Sequence, residues 1–151
     1  MDILQWKVVQ VIAETRETIT YILEPADGKP VVYEAGQFLT ILIDHHGREL
    51  RRSYSFSSTP GVDKQVSITV KRKVNGAISR YIQLIWKEGT VFNTIPPTGM
   101  FRIETDANLE RTFFFIAAGS GIVPVFSLLK KVLHFEPRSS VVLIYQNFDE
   151  E

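Results

Sequence analysis

The chain has 151 residues, of which 44% are hydrophobic, and its 17 basic side chains balance its 17 acidic ones. A net charge of zero argues against a protein that coats nucleic acid, because such proteins carry a basic excess. The absence of cysteine excludes disulfides and cysteine-ligated iron–sulfur or zinc centres within this chain. The sequence shows no signal peptide and no apolar run of about 18 residues, so we expect a soluble, cytoplasmic protein.

The first part of the chain predicts β-strands at short intervals. Apolar and β-branched residues mix with polar ones at residues 6–15, 18–25, 37–44 and 65–73. Turn signals such as Asp27-Gly28 and Ala35-Gly36 separate the segments. Regular strand spacing of this kind favours an antiparallel barrel or sandwich. Residues 78–86 differ, because their apolar positions recur with the spacing of a helix, which predicts one short helix at an end of the barrel.

The pattern changes near residue 108, where we place the boundary between two domains, 1–108 and 109–151. Residues 111–119 form a nearly continuous apolar run, which is typical of a parallel strand covered on both faces. An amphipathic helix is predicted at 123–135 and a second buried strand at 139–147. This is a βαβ unit, and we expect it to be incomplete, because one helix cannot cover both faces of its sheet.

The segment RRSYSFSS, residues 51–58, fits neither a hairpin turn nor a half-buried strand. Two arginines precede an aromatic residue, and four serines lie within six positions. Tyr54 could stack on a flat ring system, and Ser55 could form hydrogen bonds with the polar edge of that ring. Arg52 adds a cation that could bind a phosphate.

A second candidate binding segment follows at residues 70–80, VKRKVNGAISR. Its basic residues lead into Asn75-Gly76, and Ser79 lies near the start of the predicted helix. A basic strand end, a glycine turn and a helix N-terminus could together hold a diphosphate. Taken alone, the basic run is better explained by a solvated strand end.

The third candidate is AAGSGIVP, residues 117–124, between the apolar strand and the following helix. Glycines there let the backbone approach a ligand, and the helix N-terminus carries a partial positive charge, which suits a phosphate or a nicotinamide dinucleotide. The spacing Gly-x-Gly-x-x-Pro differs from the dinucleotide fingerprint, which ends in a third glycine. By itself it is explained equally by a tight turn.

Together, these motifs resemble the ferredoxin–NADP reductase superfamily, nearest to its bacterial oxygenase-reductase and flavohaemoprotein-reductase branches. The matching motifs are, in order, RSYS, SSTP, VKR, NGAISRYI, PPTGMF and AAGSGIVPVFSLLK. The resemblance covers essentially the whole chain. It implies a six-stranded antiparallel Greek-key β-barrel with one capping helix that binds FAD, followed by a partial α/β (βαβ) domain that binds NAD(P).

The resemblance also implies a role for each matching residue. Arg52 would bind the FAD diphosphate, Tyr54 would lie against the isoalloxazine, and Ser55 would face its N5/O4 edge. Together with Ser120, Tyr54 and Ser55 would be the residues beside the reacting groups. The other implied cofactor contacts are Val70 and Arg72 at the flavin and ribityl region, Gly76, Ala77, Ile78 and Ser79 at the diphosphate, and Gly119, Ser120 and Gly121 at NAD(P)H.

The implied function is that of an FAD-dependent NAD(P)H oxidoreductase. A hydride would pass from NAD(P)H to FAD, and single electrons would pass on to an iron–sulfur, haem or flavodoxin-type partner protein. Since the relatives continue beyond the last residue of this chain, we expect the chain alone to bind FAD weakly and to be reduced slowly. The motifs do not indicate the choice between NADH and NADPH or the electron acceptor.

Two other functions are compatible with parts of the pattern. One is a non-catalytic nucleotide- or partner-binding barrel subunit of an electron-transfer complex. The other is an oligonucleotide-binding barrel with Tyr54 and Phe56 as stacking platforms, which the zero net charge and the βαβ unit disfavour. Its basic residues would be Arg51, Arg52, Lys71, Arg72 and Lys73.

Two further features are a pair of histidines and a sheet edge. The adjacent His45 and His46 are not interpreted as metal ligands, because neighbouring side chains in a strand or turn point apart. The exposed sheet edge of the second unit makes a homo-oligomer a further expectation.

Overall fold

A computed structural model describes residues 2–45 and 47–147. Its first unit contains the strands β1 (Leu4–Ala13), β2 (Thr18–Pro25), β3 (Phe38–His45), β4 (Arg48–Ser55), β5 (Val66–Lys71) and β6 (Val91–Thr98), with helix α1 (Ala77–Ile85) between β5 and β6. Its second unit contains β7 (Thr112–Ala118), a 3₁₀ turn (Gly119–Gly121), α2 (Ile122–Phe135) and β8 (Ser140–Gln146). No helix in these ranges is long and apolar enough to cross a membrane.

The first unit is one antiparallel sheet with the strand order β4-β3-β6-β1-β2-β5. Strand β6 returns to lie between β1 and β3, as expected of a Greek-key arrangement. The two edge strands meet only beyond the end of β4, where Phe56 bridges Ile68 and the Ser57 N–H donates to the Ser67 carbonyl at 2.9 Å. The expected six-stranded architecture is therefore confirmed, and one bridge instead of a full ladder joins its edges.

Most of the RRSYS motif lies within β4, which the sequence pattern does not identify as a strand. Strand β4 pairs with β3 along its whole length, so that Arg52 lies opposite Ile41 and Tyr54 opposite Leu39. An edge strand does not bury one continuous face, and its side chains need not alternate cleanly between apolar and polar. The residues that indicate a binding site therefore lack the alternating pattern by which a strand is recognised, and β4 is not predicted.

The core of the first unit is closed at one end by α1, as predicted. Ile78 and Ile82 of α1 are buried in this core, and Trp86 directly follows the helix. The Trp86 ring stacks on Phe92 with 4.1 Å between ring centroids and meets Tyr21 edge-on at 5.3 Å. The helix is thus fixed by its apolar face against the sheet, which sets the position of its N-terminus.

The second unit has its own small core, in which α2 covers one face of the parallel pair β7–β8. Val125, Leu128 and Val132 form the predicted apolar stripe of α2. The opposite face of the sheet is open, since Phe114 is 69% and Ile116 76% exposed. Helix α2 thus covers one face only, as expected of an incomplete unit with a single helix.

Buried hydroxyl groups join the two units. The Ser127 hydroxyl of α2 donates to the Ser58 carbonyl at 2.7 Å, and the Thr59 hydroxyl donates to the Ser127 carbonyl at 2.8 Å. All three residues are buried. Nearby, the Lys130 ammonium donates to the Ser57 carbonyl at 3.0 Å and pairs with Asp63. This hydroxyl junction sets the beginning of α2 relative to the end of β4.

Candidate functional site

A cavity of about 430 Å³ opens between the two units. It lies where β4 and β5 end, where α1 begins and where β7 turns into α2. The residues that line it are Arg52, Ser53, Tyr54, Ser55, Thr69, Lys71, Lys73, Asn75, Gly76, Ala77, Ile78, Ser79, Ser120 and Val123. The structure thus brings together parts of all three predicted binding segments, which are far apart in the sequence.

The wall of this cavity is positively charged. Arg52, Lys71 and Lys73 line it, and no carboxylate is among the described lining residues. The Arg52 guanidinium donates to the Arg51 carbonyl at 2.7 Å. Helix α1 begins after Gly76 with no side-chain cap, so its first N–H groups are available to a ligand. Cations and an uncapped helix N-terminus together make a site for an anion such as a diphosphate.

The loop before α1 closes around Gly76. The Lys73 N–H donates to the Ser79 hydroxyl oxygen at 3.1 Å, and that hydroxyl donates to the Gly76 carbonyl at 3.3 Å. A Cβ at Gly76 would lie 2.7 Å from the Ser79 oxygen and 2.8 Å from the Lys73 Cβ, which leaves room for glycine alone. Because the Ser79 hydroxyl is engaged within the loop, the backbone N–H groups are what α1 offers to a ligand.

Tyr54 supplies an aromatic surface in the same cavity. Its side chain is half-buried and packs against the core of the first unit. Burial raises the pKa of the Tyr54 hydroxyl, and nearby Arg52 opposes this shift in part. The hydroxyl therefore stays protonated at neutral pH and can donate a hydrogen bond. Ser55 follows on the cavity wall, as the sequence predicts.

Four of the predicted cofactor residues do not line this cavity, namely Val70, Arg72, Gly119 and Gly121. Val70 is fully buried in the core, and the Arg72 guanidinium lies 3.7 Å from the Glu17 carboxylate. Their neighbours Thr69 and Lys71 face the cavity instead. The reason is that side chains alternate between the two faces of β5. Contacts of Val70 and Arg72 with a cofactor remain a prediction.

A smaller cavity of about 140 Å³ adjoins the first one. Its lining includes Gly119, together with Thr69, Lys71, Ser120 and Val123, which line both cavities. The backbone of Gly119 is left-handed, with φ +51°, and a Cβ at Gly119 or at Gly121 would meet open space. The predicted glycine turn therefore presents bare backbone at this side of the cleft.

Lys71, Tyr145 and Asn147 line this second cavity and are not among the cofactor contacts that the sequence implies. Lys71 donates to the Asn147 side-chain oxygen at 3.2 Å, and the Tyr145 hydroxyl donates to the Gly119 carbonyl at 3.2 Å. Tyr145 and Asn147 lie at the carboxyl end of β8, the edge of a parallel sheet at which ligands bind in α/β folds. That position is the signal that could have identified them.

The stacking role considered for an oligonucleotide-binding barrel is wrong for Phe56. Its ring is fully buried and packs on Tyr33 with 4.0 Å between ring centroids, so it cannot stack on a base. Arg51 pairs with Glu49 at 2.8 Å and does not line the larger cavity. His46 lies outside the described residues, and within those residues no group of three potential metal-ligating side chains forms a cluster.

Comparison with known proteins identifies the family. Residues 5–103 match the family of oxidoreductase FAD-binding domains. The ferredoxin reductase component of 3-ketosteroid-9-alpha-monooxygenase from Mycolicibacterium smegmatis is 33% identical over 155 residues, covering 98% of this chain and 42% of the relative. One of the subunits of 1,2-phenylacetyl-CoA epoxidase from Escherichia coli is 35% identical over 144 residues, covering 93% of this chain and 40% of the relative.

A solved structure shows the same fold. The flavohem-like FAD/NAD binding domain of nitric oxide dioxygenase from Vibrio cholerae O1 biovar El Tor superposes with a TM-score of 0.82 at 25% identity, covering 97% of this chain and 63% of that chain. The chain belongs to the oxidoreductase FAD-binding domain family, within the ferredoxin–NADP reductase superfamily. It spans about two-fifths of the length of the two curated relatives described above.

Proposed function

We propose that the chain is the FAD-binding part, with the beginning of the NAD(P)-binding part, of a flavin-dependent NAD(P)H oxidoreductase. The observation that carries this proposal is the convergence of Arg52, Tyr54, the α1 N-terminus and Ser120 on one cavity. The boundary between the two parts at residues 108 and 109, a redox partner protein and a cytoplasmic location belong to the same proposal. Two relatives, named as a ferredoxin reductase component and as part of an epoxidase, support the partner.

The residues that line the larger cavity fit FAD. Cations and an uncapped helix N-terminus match a diphosphate, and the half-buried Tyr54 ring matches a flat isoalloxazine. The volume of about 430 Å³ lies within the range of cofactor sites. FAD, when bound, accepts a hydride and passes on single electrons. In this proposal Arg52 and Lys73 bind the diphosphate, Tyr54 and Ser55 orient the ring, and Gly119, Ser120 and Gly121 receive NAD(P)H.

The first test is retention of FAD. The wild-type chain is mixed with excess FAD, free cofactor is removed, and the visible spectrum is recorded. We expect the wild-type chain to retain only part of the flavin, in line with the weak FAD binding expected of this chain alone. We expect Arg52→Ala to weaken FAD binding by about tenfold or more, because a charge-assisted hydrogen bond to the diphosphate is lost. Tyr54→Ala should also reduce the retained absorbance, because the aromatic surface is removed.

Arg51→Ala is the matched control for Arg52→Ala, because Arg51 is adjacent on β4 and its guanidinium contacts Glu49. It should retain FAD as the wild type does. Equal losses in both variants would contradict a specific diphosphate contact for Arg52. A chain that retains FAD but is reduced by neither NADH nor NADPH would favour the non-catalytic subunit.

A second prediction concerns the dinucleotide. Gly121 has ordinary helical backbone angles, φ −63° and ψ −15°, and a Cβ there would touch nothing within 4 Å. We therefore expect Gly121→Ala to leave the melting temperature and FAD affinity unchanged and to weaken NADH or NADPH binding by about tenfold, because a methyl group would hold the ligand away from the backbone.

Tryptophan fluorescence during titration with NADH and with NADPH measures this affinity, and FAD retention by the same variant is the internal control. Unchanged affinity for both dinucleotides in Gly121→Ala would show that neither approaches the backbone at this turn.

A further inference from the structure

Gln83 of α1 ties the helix to two other parts of the first unit. Its side-chain amide donates to the Val70 carbonyl at 3.0 Å and to the Glu17 carbonyl at 2.9 Å. Val70 belongs to β5, and Glu17 precedes β2. One amide group thus satisfies two backbone acceptors that are more than fifty residues apart in the sequence.

These two carbonyls lie where the β2–β5 ladder ends. The last ladder pair is Thr18 with Lys71, and the Arg72 N–H then donates to the Glu17 carbonyl at 2.7 Å. Beyond this point the chain leaves the sheet for the loop that leads to α1. Gln83 therefore fixes the exit of β5 at the place from which Lys71 points into the cavity.

The same face of α1 holds this loop at a second point. Ser79, one helical turn before Gln83, accepts a hydrogen bond from the Lys73 N–H at 3.1 Å. Ser79 and Gln83 together hold both sides of the segment that carries the cavity cations Lys71 and Lys73. These two side-chain contacts therefore add to the backbone hydrogen bonds that set the distance between these cations and the α1 N-terminus.

We propose that Gln83 is a positioning residue for the diphosphate end of the cavity. It is not among the residues that line the cavity, so it acts through the β5 exit and the loop that it fixes. A bound diphosphate needs its cations and its backbone N–H donors at set distances, and a loosened β5 exit would spread them. This inference rests on the proposed binding of FAD.

The test compares FAD dissociation constants of apo variants at a temperature at which each is fully folded. Gln83→Met keeps the length of the side chain but removes the donor, and we expect about tenfold weaker FAD binding. Gln83→Lys restores a donor of similar reach, and its affinity should lie near that of the wild type in about 0.3 M salt, which screens the added charge. Gln10→Met, the same substitution at an exposed position of β1, is the control and should bind as the wild type does.

The readout separates positioning from a merely structural contribution. Gln83→Met with a lowered melting temperature and an unchanged FAD dissociation constant would overturn the inference, as would Gln83→Lys binding as weakly as Gln83→Met. Should Gln83→Met fail to fold, Gln83→Asn, whose amide is too short to reach both carbonyls, decides the question by the same measurement. A wild-type chain that binds no FAD would overturn the proposed function and this inference with it.

Discussion

Gly36→Ala is expected to lower the free energy of unfolding by at least about 3 kcal/mol. Gly36 has a left-handed backbone, with φ +88°, and a Cβ there would lie 1.9 Å from the Phe101 carbonyl oxygen and 3.2 Å from Leu128. The obstacle is backbone, held in place by the Arg102 N–H that donates to the Met100 carbonyl at 2.9 Å. The Phe101 carbonyl and Leu128 cannot move away from position 36 without separating the chain before β3 from α2.

Gly89→Ala is the matched control for Gly36→Ala. Gly89 has the same φ, +88°, but a Cβ there would meet nothing within 4 Å. Gly89→Ala should lower the free energy of unfolding by only about 1 kcal/mol, the penalty for an alanine with left-handed backbone. Urea unfolding of both variants measures the difference, which isolates the steric overlap. Equal losses of stability would contradict the crowding at Gly36.

Glu136→Gln is expected to lower the melting temperature at pH 7 by roughly 5–10 °C. The Glu136 side chain is fully buried, and both of its oxygens accept hydrogen bonds from Arg111, at 2.8 and 2.5 Å. The Ser139 hydroxyl donates to it at 2.5 Å and the Asp106 N–H at 3.2 Å. A glutamine amide would place N–H groups against the Arg111 guanidinium and leave one of these donors unpaired.

The effect of Glu136 should depend on pH in a defined direction. The hydrogen bonds from Arg111 chiefly, and those from Ser139 and Asp106, lower the pKa of Glu136 from 4.5 to about 2. The unfolded chain therefore binds this proton first as the pH falls, and the stabilisation is complete above pH 4.5 and is lost toward pH 2. The gap in melting temperature between wild type and Glu136→Gln should shrink across that window.

The matched control for Glu136→Gln is Glu110→Gln, which removes an exposed carboxylate paired with Arg138 at 3.2 Å. Its melting temperature should follow that of the wild type at every pH, because exposed ion pairs contribute little. A gap between wild type and Glu136→Gln that stays constant down to pH 2 would contradict the lowered pKa of Glu136.

The sequence predicts the architecture and the segments that carry the site better than it predicts which side chains face the cavity. Glycine turns and apolar periodicity are local signals, and they predict four of the six strands of the first unit and both helices. The order of the motifs points to Arg52, Tyr54 and Ser120, all of which line the larger cavity. The side of a strand that faces a cavity is not a local signal. For this reason the motifs point to Val70, although Val70 is buried in the core. The residue of this strand end that lines the cavity is its neighbour Lys71.

The sequence also does not reveal the roles of polar residues whose partners are distant in the chain. Glu136 and Gln83 look like ordinary polar residues, and each acquires its role only when the fold brings its partners to it. Glu136 meets Arg111 across 25 positions, and Gln83 meets Glu17 across 66. Nothing in their sequence neighbourhoods distinguishes them from solvent-exposed side chains.

The hydroxyl junction of Ser58, Thr59 and Ser127 resists separation of the two units that border the cleft. Pulling the two units apart would break hydrogen bonds between groups that are now buried. Each donor or acceptor that stayed buried without a partner would cost about 1–3 kcal/mol of stability. Two packed apolar surfaces could slide past each other, but these directional bonds allow no intermediate positions. We therefore expect the width of the cleft to change little when a dinucleotide binds.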